Sequence, residues 1–175
     1  MRRLLLLRHA KTERAEHGER DRDRKLMERG RADATVIGNY LVRHRLVPDL
    51  VLASPALRAQ ETWAPIAAAF AKTPPVVTDA RIYNAGSEAL AELIQESSGG
   101  IRTLLVIGHN PGLHDLALQL IGSGDVGARA ALSEKLPTSG LVAIDFAFND
   151  WSLLRGHAGR LDRFVSPRLI AAATD

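Results

Sequence analysis

The chain has 175 residues, with 23 Lys+Arg against 20 Asp+Glu for a formal net charge of +3, a length suited to one domain that buries about 70% of its unfolded surface. It contains no cysteine, which excludes disulfides, thiolate zinc sites and cysteine nucleophiles and leaves any chemistry to His, Arg, Asp, Glu, Ser, Thr or Lys. No apolar run approaches the roughly 18 residues of a membrane span, and the N-terminal leucines are too few for a signal-peptide core, so a cytoplasmic protein is expected.

In chain order, Leu4-Leu5-Leu6-Leu7 predicts a short strand buried on both faces, as at the centre of a parallel sheet, and it ends abruptly in Arg8-His9. From Lys11 to Arg31 eight basic and six acidic residues alternate without an aromatic. This is either a mobile charged rim that meets a partner protein or a solvated loop. A helix follows from about Glu28 to Arg45, with Ala32, Val36, Ile37, Tyr40 and Leu41 on one face, closed off by Pro48. Leu50-Val51-Leu52-Ala53 is a second buried strand. Ser54-Pro55 then supplies an N-cap hydroxyl and a proline for the first helical position, which puts Arg58 in the first turn of a helix lined by Ala59, Trp63, Ile66, Ala67 and Phe70.

Val76-Val77-Thr78 is a candidate third strand, and residues 79–87 form a loop around Arg81, Tyr83 and Gly86. A helix with Leu90, Leu93 and Ile94 inward runs to Gly99-Gly100. Thr103-Leu104-Leu105-Val106-Ile107 is a further buried strand. It enters Gly108-His109-Asn110-Pro111, where Asn110 as N-cap and Pro111 start a helix with Leu113, Leu116, Ala117, Leu120 and Ile121. Residues 122–140 read as an irregular crossing with a short helical piece near Leu132 to Leu136. Leu141 to Phe148 reads as a strand, Asn149-Asp150 as a turn and Trp151 to Leu154 as its hairpin partner, with Leu161 to Ile170 packing as a tail. No repeat or composition break divides residues 1–175, so one domain is expected.

Two buried strands thus end in histidine, and a third constellation places an arginine at a helix start. A guanidinium binds phosphate oxygens with paired hydrogen bonds, and a neutral imidazole can attack phosphorus, so Arg8, His9, Arg58 and His109 are the candidate site. Lys11 and Thr12 directly follow the first motif and either contact phosphate or are solvated. No nucleic-acid motif is present.

With these motifs in this order, Arg8-His9, Ser54-Pro55 with Arg58 and Ala59-Gln60-Glu61-Thr62, Val106-Ile107-Gly108-His109-Asn110-Pro111 and Ser166-Pro167-Arg168-Leu169, the chain resembles the histidine phosphatase superfamily. Within it, the resemblance is to the small bacterial SixA-type phosphohistidine phosphatases. It implies a phosphoglycerate-mutase-like α/β fold, a single three-layer αβα domain whose mostly parallel central sheet has an antiparallel edge. It also implies that His9 is the nucleophile, that Arg8, Arg58 and His109 surround the phosphoryl group, and that neither metal nor cofactor is required. The expected reaction is attack by His9, a phospho-His9 intermediate and its hydrolysis by water.

One departure from the family bears on substrate. Its mutases and phosphomonoesterases carry a carboxylic acid in the loop matching residues 79–87, where it protonates an alkoxide leaving group. Here the core of that loop, Arg81-Ile82-Tyr83-Asn84-Ala85-Gly86, has none. Asp79 and Glu88 flank it and could act as the acid only if the loop folds them inward. The expectation is therefore a phosphatase for a protein phosphohistidine, such as one carried on a phosphotransfer domain, whose imidazole departs readily. The alternatives are a phosphomonoesterase for a small phosphate ester and a phosphate-binding module without turnover.

Overall fold

The four leucines at residues 4–7 are completely buried in the computed structural model, which describes residues 1–174. They form the middle of β1 (Arg2–Arg8). The chain continues through α1 (Glu28–Arg43), β2 (Leu50–Ala53), α2 (Leu57–Ala67), β3 (Val76–Thr78), α3 (Ser87–Gln95), β4 (Thr103–Gly108), α4 (Gly112–Leu120), β5 (Ile121–Gly124), α5 (Val126–Glu134), β6 (Leu141–Phe146), β7 (Gly159–Val165) and α6 (Pro167–Thr174). One seven-stranded sheet has the order β3-β2-β4-β1-β6-β7-β5. β1 is parallel to β4 on one side, with Leu6 opposite Val106, and antiparallel to β6 on the other, with Leu6 opposite Val142. Only β6 runs against the other strands, and it lies inside the sheet beside β1, not at the edge.

Alternation along the strands divides the core in two. Leu4, Leu6, Leu104 and Val106 face the layer of α3, α4 and α5, meeting Leu93, Leu116 and Leu132. Leu5, Leu7, Leu105 and Ile107 face α1 and α2, meeting Ile37, Leu41, Trp63 and Ile66. Burial of each such side chain contributes about 1.5–3 kcal/mol, and burial on both faces is what turned an apolar run into a central strand.

Several elements differ from the sequence-based expectation. α1 stops at Arg43, because Arg45 takes a left-handed φ of 58°. Its inward stripe is Gly30, Ala34, Ile37, Gly38 and Leu41, while Ala32 and Val36 are exposed. The reason is close packing on α2: a Cβ at Gly38 would come within 2.9 Å of the Ile66 backbone. Ile121 leaves α4 and opens β5, and the helix expected near Leu132 to Leu136 is instead α5, started by the Asp125 side chain accepting from the Ala128 N–H at 2.8 Å. Trp151 to Leu154 is no strand. Trp151–Leu153 makes a short 3-10 turn that buries the indole and lets its N–H donate to the Ile101 carbonyl at 2.6 Å. The antiparallel partner of β6 is β7, from the segment read as a tail.

The connection after β1 passes to the α1 layer, and the one after β4 passes to the opposite, α4 layer. The chain therefore parts between two adjacent strands, and a crevice opens at their carboxyl ends, where α/β sheets hold ligands. Its α4 wall is closely packed. A Cβ on Gly112 would collide with the Ala85 carbonyl in the neighbouring 79–87 loop. Gly112→Ala is expected to cost about 1–3 kcal/mol of stability in urea unfolding; an unchanged midpoint would mean that the loop does not rest on this helix start.

Candidate active site

His9 follows β1 directly, and its backbone is clamped from both sides. Its N–H donates to the Gly108 carbonyl at 3.2 Å, while the Ser139 N–H reaches the carbonyls of Arg8 at 3.1 Å and His9 at 3.2 Å. The ring is buried, with Nδ1 2.8 Å from the Ala10 carbonyl. A carbonyl can only accept, so Nδ1 carries the proton and Nε2 keeps its lone pair. Burial, and after it the neighbouring His109 ring and the Arg58 and Arg8 guanidinium groups, push the ring pKa down to about 3 against the opposing pull of the Ala10 carbonyl. The Ala10 N–H donates to Thr62 Oγ1 at 2.9 Å, and that hydroxyl donates to the Arg58 carbonyl at 2.7 Å, which ties the histidine turn to α2.

Arg58 lies in the first turn of α2, as the sequence predicts, but by a different local route. The helix begins at Leu57, with Ala56 at its cap and no side chain capping it. Ser54 is two residues too early to cap. Its Oγ accepts from the Ala56 N–H at 3.2 Å and lies 2.7 Å from His109 Nε2. Arg58 is only 6% exposed; Nη1 donates to the Asp21 carbonyl at 2.9 Å and Nη2 to Asp21 Oδ2 at 3.0 Å. Arg8 donates from Nη1 to the Leu136 carbonyl at 3.1 Å, and burial lowers its pKa.

Asn110 does not cap α4 either. Its Nδ2 joins Arg8 on the Leu136 carbonyl at 2.9 Å, and the helix starts at Gly112 with Pro111 at the cap. His109 is thereby held with its ring centroid 5.2 Å from that of His9. Its pKa falls to about 4, chiefly through burial and then through Arg58, with Asp21 opposing and Arg8 adding to the fall. Four buried side-chain atoms at this end of the sheet, Arg8 Nε, His109 Nδ1, Asn110 Oδ1 and Ser139 Oγ, make no hydrogen bond within the protein. Two guanidinium groups, two neutral imidazoles and unpaired donors form a pocket suited to a tetrahedral oxyanion. Among the described residues no group of three or more His, Asp or Glu is arranged to hold a metal ion.

The remaining candidates are not in this cluster. Thr12 pairs with Leu26 in an isolated antiparallel bridge and accepts from Arg24 Nη2 at 2.6 Å. Lys11 is exposed and lines, with Thr12, Glu13, Arg14 and Lys25, a separate surface hollow of about 570 Å³. Glu88 is exposed in the first turn of α3, and the Asp79 carboxylate is taken up by Arg81, with Nη2 at 2.9 Å. The carboxylate that does reach the pocket is Asp21, from the 11–31 segment. Its Oδ2 accepts from the Tyr83 hydroxyl at 2.6 Å as well as from Arg58, and Oδ1 from Arg24 at 3.2 Å. The Tyr83 hydroxyl, then Arg24 and Arg58, hold its pKa at about 2 against desolvation. Tyr83 stands edge-on to His109 at 5.7 Å. Neither residue carries a sequence signal: Asp21 is one of six acids in an alternating run, and Tyr83 stands in a loop of no regular pattern.

By ring 15N NMR of the free protein, His9 and His109 are expected to be neutral at pH 5.5, with His9 in the Nδ1–H form; a His9 ring titrating near 6.5 would overturn this account. The linked stability has a definite sign. Between about pH 6.5, where the unfolded chain's histidines bind protons, and pH 4 the unfolded state takes up protons that the folded rings refuse. Stability is therefore expected to fall with pH over this window, by up to about 1.4 kcal/mol per pH unit from His9, and to fall less steeply in His9→Gln.

Comparison with known proteins assigns the family and the fold. A family model described as histidine phosphatase superfamily (branch 1) matches residues 4–96. An uncharacterized protein of Mycobacterium tuberculosis is 33% identical over 164 residues, covering 93% of this chain and 100% of that protein. The crystal structure of a provisionally assigned phosphohistidine phosphatase SixA from Agrobacterium tumefaciens superposes with a TM-score of 0.80 at 35% identity, over 95% of this chain and 98% of that one. The protein histidine phosphatase SixA in complex with tungstate shares the fold at 21% identity, with a TM-score of 0.72 over 96% of this chain and 99% of that one. The chain belongs to the histidine phosphatase superfamily, and its fold is SixA-like.

Proposed function

We propose that this phosphatase hydrolyses a phosphohistidine on a protein through a phospho-His9 intermediate, with no metal or cofactor. The observation that carries the substrate class is the state of the one carboxylate bonded to Arg58 among the described residues: Asp21 accepts from Tyr83, Arg24 and Arg58 and is held near a pKa of about 2. A group so acidic is ionised at neutral pH and cannot protonate an alkoxide, whose departure needs a proton. An imidazole leaving group whose far ring nitrogen already carries a proton departs neutral and draws none from the protein.

His9 is suited to the first step. Nε2 is unprotonated near neutrality, and the Ala10 carbonyl fixes both ring orientation and tautomer, which supports in-line attack on phosphorus. Phosphoryl transfer spreads negative charge over three equatorial oxygens. Arg8 and Arg58 hold permanent positive charge there. His109 donates from Nδ1 when the Ser54 hydroxyl donates to its Nε2. Water then attacks phospho-His9, the P–N bond breaks, His9 Nε2 recovers its lone pair with Nδ1 still protonated, and the protons of the water leave on the inorganic phosphate.

The test compares wild type with His9→Ala on a phosphohistidine peptide, on p-nitrophenyl phosphate and on glycerol phosphate. Wild type is expected to turn over the first two and spare the alkyl ester, and the variant to lose at least about a thousand-fold in rate. Quenching wild type in alkali during turnover of labelled substrate should trap acid-labile phosphate on His9. Good turnover of glycerol phosphate would favour the small-ester reading, and activity retained in His9→Ala would refute the intermediate.

A further inference from the structure

The position of Asp21 has a consequence for what leaves the pocket. The segment that carries it is closed at its base by the Thr12–Leu26 bridge and braced by Arg24, which bonds both Thr12 Oγ1 and Asp21 Oδ1. The Leu26 N–H adds an anchor on Glu61 at 2.8 Å. The tip is a short 3-10 turn, Asp21–Asp23. Asp21 is therefore a placed residue, although its side chain is 51% exposed while that of Arg58 beneath it is 8% exposed. It stands over the outer edge of the guanidinium, between the pocket and solvent, with the Tyr83 hydroxyl on the same oxygen. Its charge acts on His109; the permanent charges acting on His9, at the floor, are Arg58 and Arg8.

In an in-line displacement the leaving group departs on the side opposite the nucleophile. With His9 at the floor, that side is the mouth, where Asp21 and Tyr83 stand. We propose that Asp21 is a specificity-determining residue: its ionised carboxylate accepts a hydrogen bond from the ring N–H of a protonated imidazole leaving group and repels leaving groups that carry negative charge. This rests on the phosphohistidine reading and deepens it. The protonated ring of a phosphohistidine is cationic. As His9 Nε2 forms its bond to phosphorus, the P–N bond of the substrate breaks and its electron pair returns to the departing nitrogen. That neutralises the ring, whose proton stays on the other nitrogen against Asp21. No proton is drawn from the protein, so a carboxylate that cannot be an acid is what this leaving group requires. The alcohol of a phosphoglycerate, with its own carboxylate, would instead meet a like charge in the same place.

The readout is a selectivity ratio, kcat/KM for a phosphohistidine peptide over kcat/KM for 3-phosphoglycerate, with p-nitrophenyl phosphate reporting on the pocket itself. Asp21→Asn is expected to lower the ratio by on the order of 30-fold, a solvent-screened charge acting in opposite senses on the two substrates. Asp21→Glu, which keeps the charge, should restore it to within a few-fold. Rates on all three substrates falling alike would mean that Asp21 only positions Arg58, and would overturn the proposal. Wild type inactive on phosphohistidine would instead remove the functional reading beneath it, which the wild-type arm shows separately. A measurement on wild type alone stands whether or not the variants fold: as competitive inhibitors of p-nitrophenyl phosphate turnover, 2-aminoethylphosphonate is expected to bind at least about ten-fold more tightly than phosphonoacetate. Equal affinity, or the reverse order, would refute the proposal.

Discussion

Placing positive charge where water cannot reach it is the constraint on which the site depends. Arg58 is drawn out of solvent and Arg8 partly so, beside two imidazoles, and Asp21, whose carboxylate bonds Arg58, stands at the rim. The cost of desolvation appears in the histidines, both pushed well below the ordinary imidazole range so that they stay neutral. The same burial makes the pocket useful. A cation that has already lost its hydration attracts an oxyanion more strongly than one in water, and a neutral imidazole retains the lone pair a nucleophile needs.

Such a set must be held rigidly, and backbone groups do most of the holding. The Leu136 carbonyl takes both Arg8 and Asn110, and the Ser139 N–H spans the carbonyls of residues 8 and 9. Ser139 adopts a left-handed φ of 57° in the tight turn that leads into β6. A side chain on the next residue, Gly140, would press on the Pro137 carbonyl at 2.8 Å, so the turn needs glycine there. The interior position of β6 is part of this arrangement. Running against its neighbours, it begins at the end where β1 and β4 finish, and its approach turn closes the third side of the crevice.

Chemistry and packing also divide between the two helical layers. α2 supplies Arg58 and, through Thr62, braces the turn of His9, while α4 follows His109 from the opposite face of the sheet. The α2 end is bound to the charged 11–31 segment by two hydrogen bonds from Arg58 to Asp21, and the 79–87 loop by a third, from the Tyr83 hydroxyl. That segment links the side of the pocket holding Arg58 to the 79–87 loop that carries Tyr83.

The sequence by itself determined the parts governed by local patterns. Residues 4–7, 50–53 and 103–107 could be read as central strands because burial on both faces requires continuous apolar runs. Arg8, His9 and His109 were legible because each sits where such a run turns polar, and Arg58 because it follows a strand by one helical turn. Only the tertiary structure decided the rest. Ser54 and Asn110 have the residue types of helix caps, but the one hydrogen-bonds His109 and the other the Leu136 carbonyl, since neighbours brought in from distant segments compete for the same side-chain atoms. Trp151 to Leu154 alternates like a strand, yet burial of the indole drew it into a turn. Asp21 lies 37 residues from Arg58 and 62 from Tyr83. Nothing in an alternating charged run marks one acid from its neighbours; only the fold, by setting a guanidinium and a phenol beside it, made this one part of the site.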